Sequence, residues 1–84
     1  MVFKVLIEKR ARKQIEGLTE NVKYRIIDAL KELEKGFSAR LDIMKLKGTK
    51  NHYRIRVGDY RILFVLDADI TYVYDISHRG NVYK

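Results

Sequence analysis

Two runs of alternating apolar and polar residues, Tyr53 to Val57 and Tyr60 to Leu66, are separated only by Gly58 and Asp59. Alternation is the period of a half-buried strand, and a two-residue connector that begins with glycine predicts a β-hairpin with a II′-type turn. Counting outward from that turn pairs Val57 with Tyr60, Arg56 with Arg61 and Ile55 with Ile62. One hairpin face is then apolar, through Ile55, Ile62, Phe64 and Leu66. The other carries Arg54, Arg56 and Arg61, with Leu63 and Val65 beyond them.

The remaining periods predict the other elements. Val2 to Glu8 alternates, with Phe3, Val5 and Ile7 on one side, and reads as a first strand. Over Lys9 to Leu18 the period becomes helical, with Ala11, Ile15 and Leu18 on one face. Gly17 and Thr19 mark a stop and a new N-cap. Val22, Ile26, Ile27, Leu30 and Leu33 give a second helix its apolar stripe, and Gly36 ends it. Phe37 to Met44 shows no period and reads as a connector. Asp67-Ala68-Asp69 makes a turn before a last strand, Ile70 to Ser77. A three-residue loop there gathers Tyr72, Tyr74 and Ile76 onto the apolar face, sets Asp75 across from Arg61 and puts Arg79 on the arginine face. The expected architecture is a single α+β domain over residues 1–84, in the order β-α-α-β-β-β. A helix pair covers one face of a mostly antiparallel sheet. Leu63 and Val65 then need a cover, either the 37–44 segment or a partner protein.

Composition narrows the functional classes. Zero cysteines exclude a disulfide framework and thiolate metal sites. No Asp, Glu and His cluster has metal-ligand spacing, so neither a metal nor a cofactor is expected. The absence of a membrane-length apolar run and of a signal-peptide pattern predicts a cytoplasmic protein with no membrane partner. The net charge is +7, and residues 37–66 contribute seven basic against two acidic side chains. That excess sits on the hairpin and the segment leading into it, the electrostatic footprint of a nucleic-acid or acidic-protein partner. Like charges directly opposed across strands destabilise a sheet. A polyanion lying over Arg56 and Arg61 gives the arrangement a purpose.

The elements and their motifs together resemble a known family. Lys-Leu-Lys-Gly at 45–48, Tyr-Arg-Ile-Arg-Val-Gly-Asp-Tyr-Arg at 53–61 and a terminal His-Arg-Gly-Asn-Val-Tyr at 78–83 follow a strand and two helices. This resembles a RelE-type toxin of the RelE/ParE toxin–antitoxin superfamily, over almost the whole chain. The terminal motif favours the RelE branch over the gyrase-poisoning ParE branch. The resemblance implies a metal-independent, ribosome-dependent mRNA endoribonuclease, held inactive by a RelB-like antitoxin. Such toxins enter the ribosomal A site and cut the codon there by attack of a 2′-hydroxyl on the adjacent phosphate. The family's functional positions fall on Arg54, Arg56, Arg61, Arg79 and Tyr83. Here the first two are arginines where better-studied relatives have lysines, and the helix that follows the tyrosine in some relatives is absent from this sequence.

The residue types suit that chemistry. Attack on phosphate builds negative charge on its oxygens, and fixed guanidinium forks stabilise it without reorganising. Arginine is also the side chain for bidentate phosphate contact. Arg40, Lys45, Lys47 and Lys50 are candidate contacts to the RNA backbone. The general base is open: arginine stays protonated, which leaves His78, Tyr83, Lys45 and Lys47. The resemblance sets a functional residue at Tyr83, whereas His78 has the better intrinsic pKa. His52 reads as structural, and Tyr53, Tyr60, Tyr72 and Tyr74 as core or rim. Two other functions fit the same composition: a ParE-like topoisomerase inhibitor, and an RNA-binding module without activity.

Overall fold

The computed structural model describes residues 2–78. The chain runs β1 (Lys4–Ile7), α1 (Lys9–Glu16), α2 (Glu20–Leu33), β2 (Asp42–Lys45), β3 (His52–Val57), β4 (Tyr60–Asp67) and β5 (Ile70–His78). The strands form one sheet in the order β1-β5-β4-β3-β2. β1 runs parallel to β5, and every other neighbouring pair is antiparallel. The architecture is the expected α+β one, with one more strand than the sequence pattern predicted.

The β3–β4 hairpin has the predicted register, with Val57 opposite Tyr60, Arg56 opposite Arg61 and Ile55 opposite Ile62. Gly58 has φ +60, and Asp59 is not among the positive-φ residues, the pattern of a II′ turn. One face of this hairpin forms the core. Ile55, Ile62, Phe64 and Val73 are fully buried with Ala11, Ile26 and Leu33 from the helices. Each large apolar side chain buried this way contributes roughly 1.5–3 kcal/mol. In α2 the core stripe takes Ala29 rather than Ile27, which is 37% exposed.

Three expectations are corrected. Residues Asp42–Lys45 of the predicted connector form β2, which pairs with β3 and extends the sheet edge. Four residues on a half-exposed edge are too short to display a period. The turn into β5 has two residues, with Asp67 opposite Ile70 and Ala68 in the left-handed region at φ 56. Thr71 and Val73 therefore face the core, while Tyr72, opposite Val65, joins the arginine face. An irregularity between Leu63 and Phe64 then shifts the register by one and returns Ile76 to the core opposite Ile62. Asp75 accordingly stands opposite Leu63, and Ser77 is the residue opposite Arg61.

Beyond Val73, β5 outruns β1, and α1 covers its edge. The Ile76 amide donates to Gln14 Oε1 at 2.7 Å, and Gln14 Nε2 donates to Asp75 Oδ1 at 2.8 Å. A side-chain amide thus satisfies a strand-edge N–H that a neighbouring strand would otherwise pair, and also ties the Asp75 carboxylate to α1. Phe37, just after α2, packs edge-on against Phe3, Tyr53 and Phe64 on the helix side. The 37–41 stretch therefore does not cover Leu63 and Val65, and among the described residues no helix lies on the outer face of the sheet.

Candidate nucleic-acid interface

β2 determines how the arginines sit on that outer face. It sets Asp42 opposite Arg56 and Met44 opposite Arg54. Arg54, flanked by Met44 and by Leu63 of β4, is only 8% exposed. One guanidinium nitrogen donates to Met44 Sδ at 3.4 Å, a weak acceptor. The other, Nη1, is buried with no hydrogen-bond partner among the described residues and lies 3.7 Å from Asp42 Oδ1. Arg56 is far more open, with its side chain 51% exposed and Nε 3.8 Å from Asp42 Oδ2. A single carboxylate thus serves two guanidiniums at distances longer than a good charge-assisted hydrogen bond. Arg54 keeps unused donor capacity at the floor of the face, with Arg56 and half-buried Arg61 beside it.

The end of the face away from the Gly58 turn is apolar and aromatic. Val65 lies between His52 and Tyr72, its partners on either side. His52 Nδ1 is 3.1 Å from the Tyr74 hydroxyl, with the rings edge-to-face at 5.5 Å. Burial, and then the charge of Asp75, push the Tyr74 hydroxyl above its ordinary pKa. It therefore remains a neutral hydrogen-bonding group at physiological pH. Leu63 and Val65 are half-buried, and Met44 nearby is 55% exposed.

The sequence-predicted residues divide by position. Arg54, Arg56 and Arg61 share the outer face, and Arg40 lies at its rim just before Asp42. Lys45 ends β2 opposite Tyr53, roughly 10 Å along the strand from Arg56, and Lys47 and Lys50 lie in the loop between β2 and β3, up to roughly 20 Å away. His78 belongs to the opposite face: it is paired with Tyr60, its ring 4.7 Å from that of Tyr60, and lines a hollow with Lys13 and Leu18 of the helical layer. Arg79 and Tyr83 lie outside the described residues. Asp42 and Met44 were missed as neighbours of the arginines, because only β2 brings them there. Among the described residues no group of three or more His, Cys, Asp or Glu side chains could hold a metal.

A two-helix layer on one face of a five-stranded sheet is a fold that known proteins share. Residues 5–83 match the family described as ParE toxin of type II toxin-antitoxin system, parDE. The chain belongs to the RelE/ParE toxin superfamily. Toxin RelE3 of Methanocaldococcus jannaschii is 35% identical over 84 residues, covering 96% of either chain. Among solved structures, the RelB-RelE antitoxin-toxin complex from Methanococcus jannaschii superposes with TM-score 0.81 at 32% identity, covering 94% of this chain and 95% of that one. The archaeal RelE-RelB complex from Pyrococcus horikoshii OT3 gives 0.81 at 27% identity, covering 95% and 98%. The family description is ParE, whereas these relatives are RelE proteins. The chain is a RelE-type toxin of a type II toxin–antitoxin system.

Proposed function

We propose that this RelE-type toxin is a ribosome-dependent mRNA endoribonuclease that cuts the codon in the A site, and that a RelB-like antitoxin neutralises it. The observation that carries this reading is the trio Arg54, Arg56 and Arg61 on a sheet face that no described helix covers, with one Arg54 nitrogen buried and lacking an acceptor among the described residues. A phosphate oxygen supplies such an acceptor. Arg56 and Arg61 then hold the other oxygens as charge grows on them.

In the proposed reaction a ribose 2′-oxygen attacks the adjacent phosphorus and the bond to the 5′-oxygen breaks, leaving a 2′,3′-cyclic phosphate. Tyr83, where the resemblance sets a functional residue, takes the 2′-hydroxyl proton. Arg79 neutralises the departing 5′-oxygen, which then takes a proton from solvent. The position of His78 on the helix-side face, beside Tyr60, supports Tyr83 over His78 as the base. Arg40 contributes to backbone binding at the rim, while Lys45, Lys47 and Lys50 hold RNA or ribosome at the far end of β3. Neither metal nor cofactor takes part.

RelB partners in the two archaeal complexes support a RelB-like antitoxin here. An amphipathic segment of that antitoxin covers Leu63, Val65 and exposed Met44 while its acidic groups meet the arginines. Among the described residues no helix is long and apolar enough to cross a membrane, and the reading assigns the toxin to the cytoplasm with its ribosomal target. The ParE description of the matched family favours a second reading, inhibition of a topoisomerase. An mRNA-cleavage assay on programmed ribosomes beside a gyrase supercoiling assay separates the two. Cleavage without loss of supercoiling supports the first, and the converse supports the second.

A further inference from the structure

A cleft of about 490 Å³ opens where α2 passes the tip of the β3–β4 hairpin, lined by Arg25, Asp28 and Glu32 of α2, by Arg40, and by Arg56 and Gly58. Arg25 is exposed, and neither a hydrogen bond nor an ion pair joins it to another described residue. Its guanidinium nevertheless rests against the turn. A Cβ on Gly58 would come within 2.9 Å of Arg25 Nη2, so the glycine both permits φ +60 and leaves room for that fork. Arg40, its side chain 81% exposed, touches Glu32 only at 4.0 Å. Glu32 is otherwise engaged: hydrogen bonding from Ser38, then the charges of Lys35 and Arg40, hold its carboxyl below the ordinary value. Asp28 and Glu32 are the two carboxylates of the cleft that oppose an anion, against the guanidiniums of Arg25, Arg40 and Arg56.

We infer that this cleft is a second RNA-phosphate site, formed by Arg25 and Arg40 and joined to the arginine face through Arg56. Ordering a guanidinium costs side-chain entropy, and among the described residues no hydrogen bond or ion pair offsets that cost for Arg25. A phosphodiester accepts from the fork bidentately and does offset it. Arg56 belongs both to the outer face and to the cleft lining, so an RNA strand leaving the face over the hairpin rim meets Arg25 and Arg40 next. The inference rests on the proposed action on RNA. The phosphate comes from the mRNA or from ribosomal RNA, and the two differ in which binding partner reports the site.

The test measures the salt dependence of binding for the full-length toxin and for Arg25→Gln, Arg40→Gln and Asp28→Asn, between about 50 and 200 mM salt. One arm uses a single-stranded RNA oligomer, and the other uses ribosomes without mRNA. Thermal melts confirm that each variant is folded. Each arginine replacement should reduce the log–log salt slope by about 0.7 to 0.9 and weaken binding about threefold to tenfold at the lower salt. Asp28→Asn should tighten it. A change in the oligomer arm assigns the site to mRNA, and a change confined to the ribosome arm assigns it to ribosomal RNA. Unaltered slopes in both arms overturn the inference. Cleavage by the unmutated toxin, assayed in parallel, reports separately on the proposed function. If that cleavage is absent, the salt slopes still decide whether the cleft binds RNA.

Discussion

Arg56 on β3 and Arg61 on β4 are direct cross-strand partners. Like charges in that relation cost a sheet roughly 0.2–1 kcal/mol. Asp42, 3.8 Å from Arg56 on the β2 side, offsets part of this, at a distance and exposure that make it a weak ion pair. Replacing either arginine by Gln should therefore leave stability unchanged or slightly improved. If each arginine holds a transition-state oxygen, losing that contact costs roughly 2.7–4 kcal/mol, or two to three decades in rate. Single-turnover cleavage on programmed ribosomes, with denaturant melts alongside, checks both outcomes. An unfolded Arg61→Gln together with a fully active Arg56→Gln would make the face structural.

Arg54 calls for a different substitution because it is buried. Exchanging a buried ion for an apolar side chain of similar length is often neutral or stabilising, whereas removing only its counter-charge is not. Arg54→Met should leave the free energy of unfolding within about 1 kcal/mol of the parent while cleavage falls at least about 100-fold. Asp42→Asn leaves the guanidinium without its carboxylate. Because Asp42 is 56% exposed, the loss should be about 1–2 kcal/mol, between the values for surface and buried pairs. Urea unfolding of the two variants distinguishes a site that tolerates the charge from one built upon it.

The β3–β4 register was legible because everything that determines it is local: two alternating runs and a glycine at the first turn position. The same counting failed across the next turn for two physical reasons. Ala68 adopts a left-handed backbone, which an alanine does not advertise, so the turn has two residues where the sequence pattern predicts three. The irregularity at Leu63/Phe64 then restored Ile76 to the core. No pattern within β5 reveals such a shift, because it depends on how β4 and β5 meet. Tyr72 and Tyr74 consequently joined the arginine face, and Asp75 went to Gln14 and Arg10 of α1 rather than to a place opposite Arg61. The three arginines could be read from the chain. Their neighbours Asp42 and Met44 could not, since a four-residue edge strand gave no period.

The proton transfers give a paired prediction. Tyr83→Phe keeps the ring and removes the hydroxyl, and should lower single-turnover cleavage at least about 100-fold, the size of general acid–base assistance. His78→Gln, a change on the face occupied by Tyr60, should lower it by much less. Ribosome binding, followed by co-sedimentation, should survive both changes. Normal cleavage by Tyr83→Phe with a dead His78→Gln would transfer the base role to His78.

Glu32 predicts part of the acid limb of stability. Hydrogen bonding from Ser38, then Lys35 and Arg40, lowers its pKa from the ordinary 4.5. The unfolded chain therefore takes up this proton first as pH falls. The stabilisation is fully present above the ordinary value and disappears as pH drops through the lowered one. Melting temperature measured from about pH 6 to pH 3 should fall less steeply for Glu32→Gln than for the parent. Parallel curves would show that the carboxylate contributes nothing in this range.

The most direct test of RNA cleavage is primer extension on mRNA held by programmed ribosomes, with and without the purified toxin. The expected result is a new stop within the A-site codon that requires the ribosome, with the upstream fragment ending in a 2′,3′-cyclic phosphate. Arg61→Gln should lose that stop. Intact mRNA in the presence of folded toxin on competent ribosomes, together with arrested gyrase supercoiling, would contradict the account.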